Sequence, residues 1–86
     1  MARITLYTTA PCARCGKAKV LLSQRGIEFE EVNLSKDPVG RAELARRTGL
    51  MTFPQITVGG QTLGGLDDLR AADQDGRLAE LLSGES

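Results

Sequence analysis

Eighty-six residues make one small domain, read here as spanning residues 1–86, with room for a single thin core. Eleven basic and eleven acidic side chains cancel, so no basic footprint points to nucleic acid and no acidic block to a charged tail. No apolar run approaches the roughly 20 residues of a membrane span, and Met1-Ala2-Arg3-Ile4-Thr5-Leu6-Tyr7 is too short and polar for a secretion signal, so a cytoplasmic protein without membrane contact is expected.

The first predicted element is a strand over about residues 2–8, where Ile4, Leu6 and, more weakly, Thr8 alternate with Thr5 and Tyr7. The loop Thr9-Ala10-Pro11 delivers Cys12. From Ala13 to Arg25 the positions Cys15, Ala18, Leu21 and Leu22 recur at helical spacing; Gly16 weakens the first turn and Gly26 suits a helix end. Ile27 and Phe29 then alternate with Glu28 and Glu30, and Val32 and Leu34 resume one residue out of phase. That pattern predicts a second strand with a bulge or twist near Glu31. Ser35-Lys36-Asp37 offers capping side chains, Pro38 suits a first helical turn, and Ala42, Leu44 and Ala45 carry a second helix to about Thr48, ended by Gly49. Gln55-Ile56-Thr57-Val58 and Gln61-Thr62-Leu63 flank Gly59-Gly60, a strong hairpin signal. After Gly64-Gly65 a last helical region runs from about Leu66 to Leu82, with Gly76 as a candidate break, and Ser83-Gly84-Glu85-Ser86 reads as a short frayed end. The order β-α-β-α-β-β-α predicts an α/β fold in which helices cover a mixed sheet, its first pair parallel and its hairpin antiparallel.

The chemistry centres on Cys12-Ala13-Arg14-Cys15, which holds both cysteines of the chain. A helix beginning near Cys12 aims its unpaired N–H groups and positive dipole end at that sulfur, favouring thiolate over thiol. Arg14 and Lys17 add positive charge nearby. Cys15 lies one turn along the same face, within reach of a disulfide. Cys12 is therefore the candidate nucleophile and Cys15 the candidate resolving thiol of dithiol–disulfide exchange. A purely structural disulfide would close too short a loop to stabilise much. Structural zinc wants four ligands, and a chain with no His and no further Cys would need a second copy to supply them.

Three motifs in register, Cys12-Ala13-Arg14-Cys15, Thr52-Phe53-Pro54 and Gly64-Gly65-Leu66-Asp67-Asp68, make the chain resemble a dithiol glutaredoxin of the thioredoxin-like superfamily along nearly its whole length. The resemblance implies a four-stranded mixed sheet with about three helices. It also implies reduction of protein disulfides or mixed disulfides, with glutathione or a similar low-molecular-weight thiol as co-substrate and no tightly bound cofactor or resident metal. Pro54 would be cis, presenting the Phe53 backbone beside Thr52 so that an extended thiol peptide adds to it like a short strand; an ordinary trans proline at a strand start is the alternative. Gly64-Gly65 lets a ligand approach the backbone, and the helix opened by Leu66 offers N–H groups to a carboxylate. By the resemblance the γ-glutamyl end binds there, with Asp67 on its amine, while Asp68 caps its own helix or complements its dipole. Arg41 is a candidate for the glycyl carboxylate, against a solvated helix-face arginine.

Glutaredoxins commonly carry lysine where Thr9 stands, an aromatic where Arg14 stands, proline where Ala13 stands and valine where Phe53 stands. These departures leave exchange chemistry intact and leave the electron donor open. Mycothiol or bacillithiol in place of glutathione, direct recharging by thioredoxin reductase, and a dimer carrying an iron–sulfur cluster are the alternatives. A monomer is expected.

Overall fold

The computed structural model describes residues 3–83; the expected start of the first strand at residue 2 and most of the polar end, residues 84–86, lie outside the described residues. Strand β1, Ile4–Thr8, lies at the inside of the sheet because its alternate residues Ile4, Leu6 and Thr8 are all buried. Strand β2, Phe29–Asn33, runs parallel to it, and β3, Gln55–Val58, and β4, Gln61–Gly64, complete the order β2-β1-β3-β4. The pairs β1·β3 and β3·β4 are antiparallel. Gly59 and Gly60 turn the hairpin at φ 58° and 85°, a pair of positive angles that only glycine adopts without strain.

Helix α1, Ala13–Gln24, returns the chain from β1 to β2, and α2, Pro38–Thr48, leads on to β3. The last helical region is two helices, α3 at Leu66–Gln74 and α4 at Arg77–Ser83. The break falls at Gly76, the position the sequence offered for it, where φ is 82°, and it divides the region into two helices.

One sheet face carries most of the apolar core. Ile4, Leu6, Ile56 and Val58 from the strands pack with Ala18 and Leu22 of α1, Leu66, Leu69 and Ala72 of α3, and Leu78 of α4. Arg25, just past the end of α1, locks onto α3 through two hydrogen bonds of 2.9 Å to the Asp73 carboxylate. That pairing holds Asp73 below the usual carboxylate range. Leu44 of α2 is also buried, outside this cluster.

The bulge expected near Glu31 is absent. β2 pairs with β1 without interruption, Ile4 opposite Phe29 through Thr8 opposite Asn33. The apolar pattern changes phase because Glu31 itself takes the position opposite Leu6. Its carboxylate accepts a 2.8 Å hydrogen bond from Thr8 Oγ1 and pairs with Lys19 of α1 at 2.8 Å. A charged residue on this outer strand replaces an apolar one, so no extra residue is inserted. The irregularity in the sheet lies instead between Ile56 and Thr57, where β3 meets β4.

Candidate active site

Cys12 is the N-cap of α1, in extended backbone conformation (φ −156°, ψ 102°). Its sulfur does what a capping side chain does: it accepts a 3.1 Å hydrogen bond from the Cys15 backbone N–H. Cys12 and Cys15 are joined as a disulfide, with their Cα atoms 5.3 Å apart. The two sulfurs differ sharply in access. Cys12 is partly exposed, whereas Cys15 is 3 % exposed and sits within the core side of α1. A substrate disulfide can therefore reach the first sulfur directly and the second only through it. Immediately upstream the Ala10–Pro11 peptide is cis, a feature the sequence did not reveal.

Phe53 and Pro54 face this sulfur. The Phe53–Pro54 peptide is cis, as the resemblance implies, and the Phe53 carbonyl oxygen lies 3.9 Å from Cys12 Sγ. Pro54 is fully buried, Phe53 half-buried and Thr52 exposed. The segment is held from behind by Gln55, which is 1 % exposed. Gln55 Nε2 donates to the Leu50 carbonyl at 3.0 Å. Thr48 Oγ1, at the end of α2, lies 2.8 Å from Gln55 Oε1 and 3.0 Å from the Leu44 carbonyl, and its single proton can serve either. Sequence reasoning missed this pair because a glutamine at a strand start reads as surface. Its position directly after the proline, ahead of three residues suited to a buried strand, was the available signal.

The third wall is the start of α3. Gly65 is its N-cap and has no side chain to cap with, so Asp68 reaches back and accepts a 2.9 Å hydrogen bond from the Gly65 N–H. Asp68 thus has the capping role expected of it. Gly64 adopts φ 131°, and a Cβ there would collide with the Asp68 carboxylate, so the turn admits little but glycine. A Cβ on Gly65 would stand 3.5 Å from the Pro54 carbonyl, which brings this wall against the second. Leu66 is 1 % exposed and belongs to the core, leaving its side chain out of any binding surface. Asp67 is open to solvent, and its Oδ1 lies 3.1 Å from Arg14 Nη2 and 4.0 Å from Arg70 Nη1.

Cys12 thus meets Cys15 and the Phe53 carbonyl, Gly65 lies beside the Pro54 carbonyl, and Arg14 of α1 reaches Asp67 of α3. Arg14 turns its guanidinium to Asp67, so its charge is partly offset and the helix N–H is the direct partner of the sulfur. Arg41 stands apart from these contacts. Its Nη1 donates to the carbonyls of Leu34 and Ser35 (2.9 Å to the latter), tying the end of β2 to α2. Among the described residues no group of three or more His, Cys, Asp or Glu is arranged to hold a metal ion, and no helix is long and apolar enough to cross a membrane.

Comparison with known proteins matches this geometry. A family profile described as Glutaredoxin covers residues 4–63. A glutaredoxin of Pseudomonas aeruginosa is 46% identical over 83 residues, covering 96% of this chain and 99% of that protein. Glutaredoxin 3 of Escherichia coli K12 is 42% identical over 82 residues, covering 95% and 99%. Among solved structures, the glutaredoxin of Brucella melitensis superposes with a TM-score of 0.86 at 42% identity, covering 100% of this chain and 95% of that one. A buckwheat glutaredoxin–glutathione complex superposes at 0.87 with 27% identity, covering 96% and 78%. With its thioredoxin-like fold and its Cys12–Cys15 pair, this chain belongs to the glutaredoxin family of thiol–disulfide oxidoreductases.

Proposed function

We propose that the protein reduces protein disulfides and mixed disulfides through Cys12 and Cys15, drawing electrons from glutathione or a closely similar thiol. The observation that carries this reading is the asymmetry of the pair: a partly exposed sulfur at the start of α1, hydrogen-bonded by the Cys15 N–H, with a buried partner behind it. Helix N–H groups stabilise a thiolate more than a thiol. In the reduced protein the Cys12 thiolate attacks one sulfur of the substrate disulfide, forming a mixed disulfide and expelling the other sulfur as a thiolate that takes up a proton. The Cys15 sulfur, having lost its proton, then attacks Cys12 Sγ, closes the Cys12–Cys15 bond and releases the second substrate thiol. The substrate gains two electrons and the dithiol loses them. Two molecules of the small thiol reverse the sequence, and the disulfide they form is the oxidised product.

In this reading Thr52 and Phe53 offer backbone to the extended thiol, Pro54 shapes that edge, and the Gly65–Leu66 backbone with Asp67 receives its γ-glutamyl end. Support comes from the Phe53 carbonyl beside Cys12 Sγ, from the approach of Gly65 to the Pro54 carbonyl, and from the glutathione in the buckwheat complex. The Arg41 guanidinium is already engaged by the loop carbonyls, which favours a scaffold role over binding of the glycyl carboxylate. The activity is assigned to a monomer in the cytoplasm, the setting in which a lone dithiol works as a catalyst. The test is recharging of the oxidised protein by glutathione with glutathione reductase, run beside thioredoxin reductase. Faster recharging by glutathione is expected. Recharging by thioredoxin reductase alone would overturn the donor assignment.

A further inference from the structure

Arg14, directly after Ala13 in the first turn of α1, holds its guanidinium in contact with Asp67. We propose that Arg14 and Asp67 form a charge-paired clamp that reads the α-amino-acid end of the thiol co-substrate, which makes Arg14 a specificity-determining residue. The inference rests on the glutathione-type reading above and extends it to the chemical class of thiol accepted.

The geometry suits such a clamp. Arg14 stands two residues after Cys12 in the first turn of α1, and Asp67 stands in the first turn of α3. Arg14 Nη2 lies 3.1 Å from Asp67 Oδ1, and Arg70 Nη1 approaches the same oxygen at 4.0 Å. Both cations use Oδ1, so Oδ2 is the oxygen left to accept an ammonium. The neighbouring carboxylate, Asp68, is turned back onto the Gly65 N–H. Both members remain open to a ligand, with side chains 52% and 80% exposed.

A positive and a negative group side by side complement a carbon that bears both an ammonium and a carboxylate. The ammonium goes to Asp67 Oδ2. The carboxylate goes to Arg14, close to the α3 N–H groups that also favour an anion. A thiol ending in a carboxylate alone meets Asp67 as a like charge, and one ending in an amine alone meets Arg14 as a like charge. The clamp thereby selects thiols with a zwitterionic head over those that carry a single charge at that end. At this exposure the pair adds little to folding stability, so removing it leaves the fold to be tested cleanly.

The experiment is a cycle between protein and substrate. KM and kcat are measured for a mixed disulfide of glutathione and for its analogue in which the γ-glutamyl head is replaced by 4-aminobutyryl, which lacks only the α-carboxylate. Arg14→Met is expected to raise KM for the glutathione substrate about 2- to 5-fold, the scale of an exposed ion pair, through KM and not kcat. With the 4-aminobutyryl substrate that penalty disappears, and Arg14→Lys recovers part of it with glutathione. An equal KM change for both substrates, no change with either, or a change confined to kcat would overturn the clamp while leaving the glutathione reading in place. Failure of the wild-type protein to turn over the glutathione substrate at all would remove both.

Discussion

At Cys12 the sulfur already receives the Cys15 N–H at 3.1 Å, so activation does not need a neighbouring base. Arg14, the nearest cation in sequence, is shared with Asp67, and this leaves helix geometry as the main source of thiolate stability. Titrating ultraviolet thiolate absorbance of the reduced protein is expected to show one cysteine well below the ordinary value of about 8.5. The other, Cys15, is buried behind it. Two overlapping titrations near the ordinary value would contradict activation by the helix start. The dithiol was legible in the sequence because its spacing carries the signal, whereas the cis form of Pro54 followed only from the family resemblance, since a proline at a strand start suits either isomer. The Arg14–Asp67 pair was not, because two exposed charges far apart in the chain give no sign of meeting until the fold brings α1 beside α3.

Among the elements, the hairpin and helix ends were read well where a residue has one conformational role, as at Gly59-Gly60 and Gly76. β2 was misread at Glu31 because periodicity assumes an apolar residue at every inward position, whereas Lys19 and Thr8 make a carboxylate acceptable there. The Lys19 hydrogen bond, followed by that of Thr8, holds the Glu31 carboxyl below its ordinary value. A carboxyl lowered on folding stabilises the native state above its unfolded pKa, and the contribution is lost as pH falls through the lowered value. Glu31→Gln is therefore expected to melt below wild type near neutral pH, with the gap closing as pH falls below the ordinary glutamate range; a gap independent of pH would contradict the pairing. The join between α2 and β3 depends on Gln55. Gln55→Leu leaves the Leu50 carbonyl without its donor and is expected to cost about 1–3 kcal/mol of stability. Because that loop carries Thr52-Phe53-Pro54, KM for the thiol substrate should rise as well. A variant as stable and as active as wild type would show that Gln55 does not hold the loop.

Across the whole molecule, one packed face of the sheet brings three separate segments to the same end. Leu6, Ile56, Leu22 and Leu66 meet in a single core, which fixes α1 and α3 on the strands, with Cys12 beside the Phe53 carbonyl and Arg14 of α1 paired with Asp67 of α3. The layer order was legible because β-α-β-α-β-β-α admits few arrangements. What lay beyond the sequence was the contact between segments, including the tether from Thr48 to Gln55 and the Arg25–Asp73 lock. One reachable and one buried sulfur predict unequal roles for the two cysteines. Turnover of a glutathione mixed disulfide by Cys12→Ser and by Cys15→Ser measures this directly: the first variant should be inactive and the second should retain activity through Cys12 alone. Activity surviving in Cys12→Ser, or equal loss in both, would contradict the assignment.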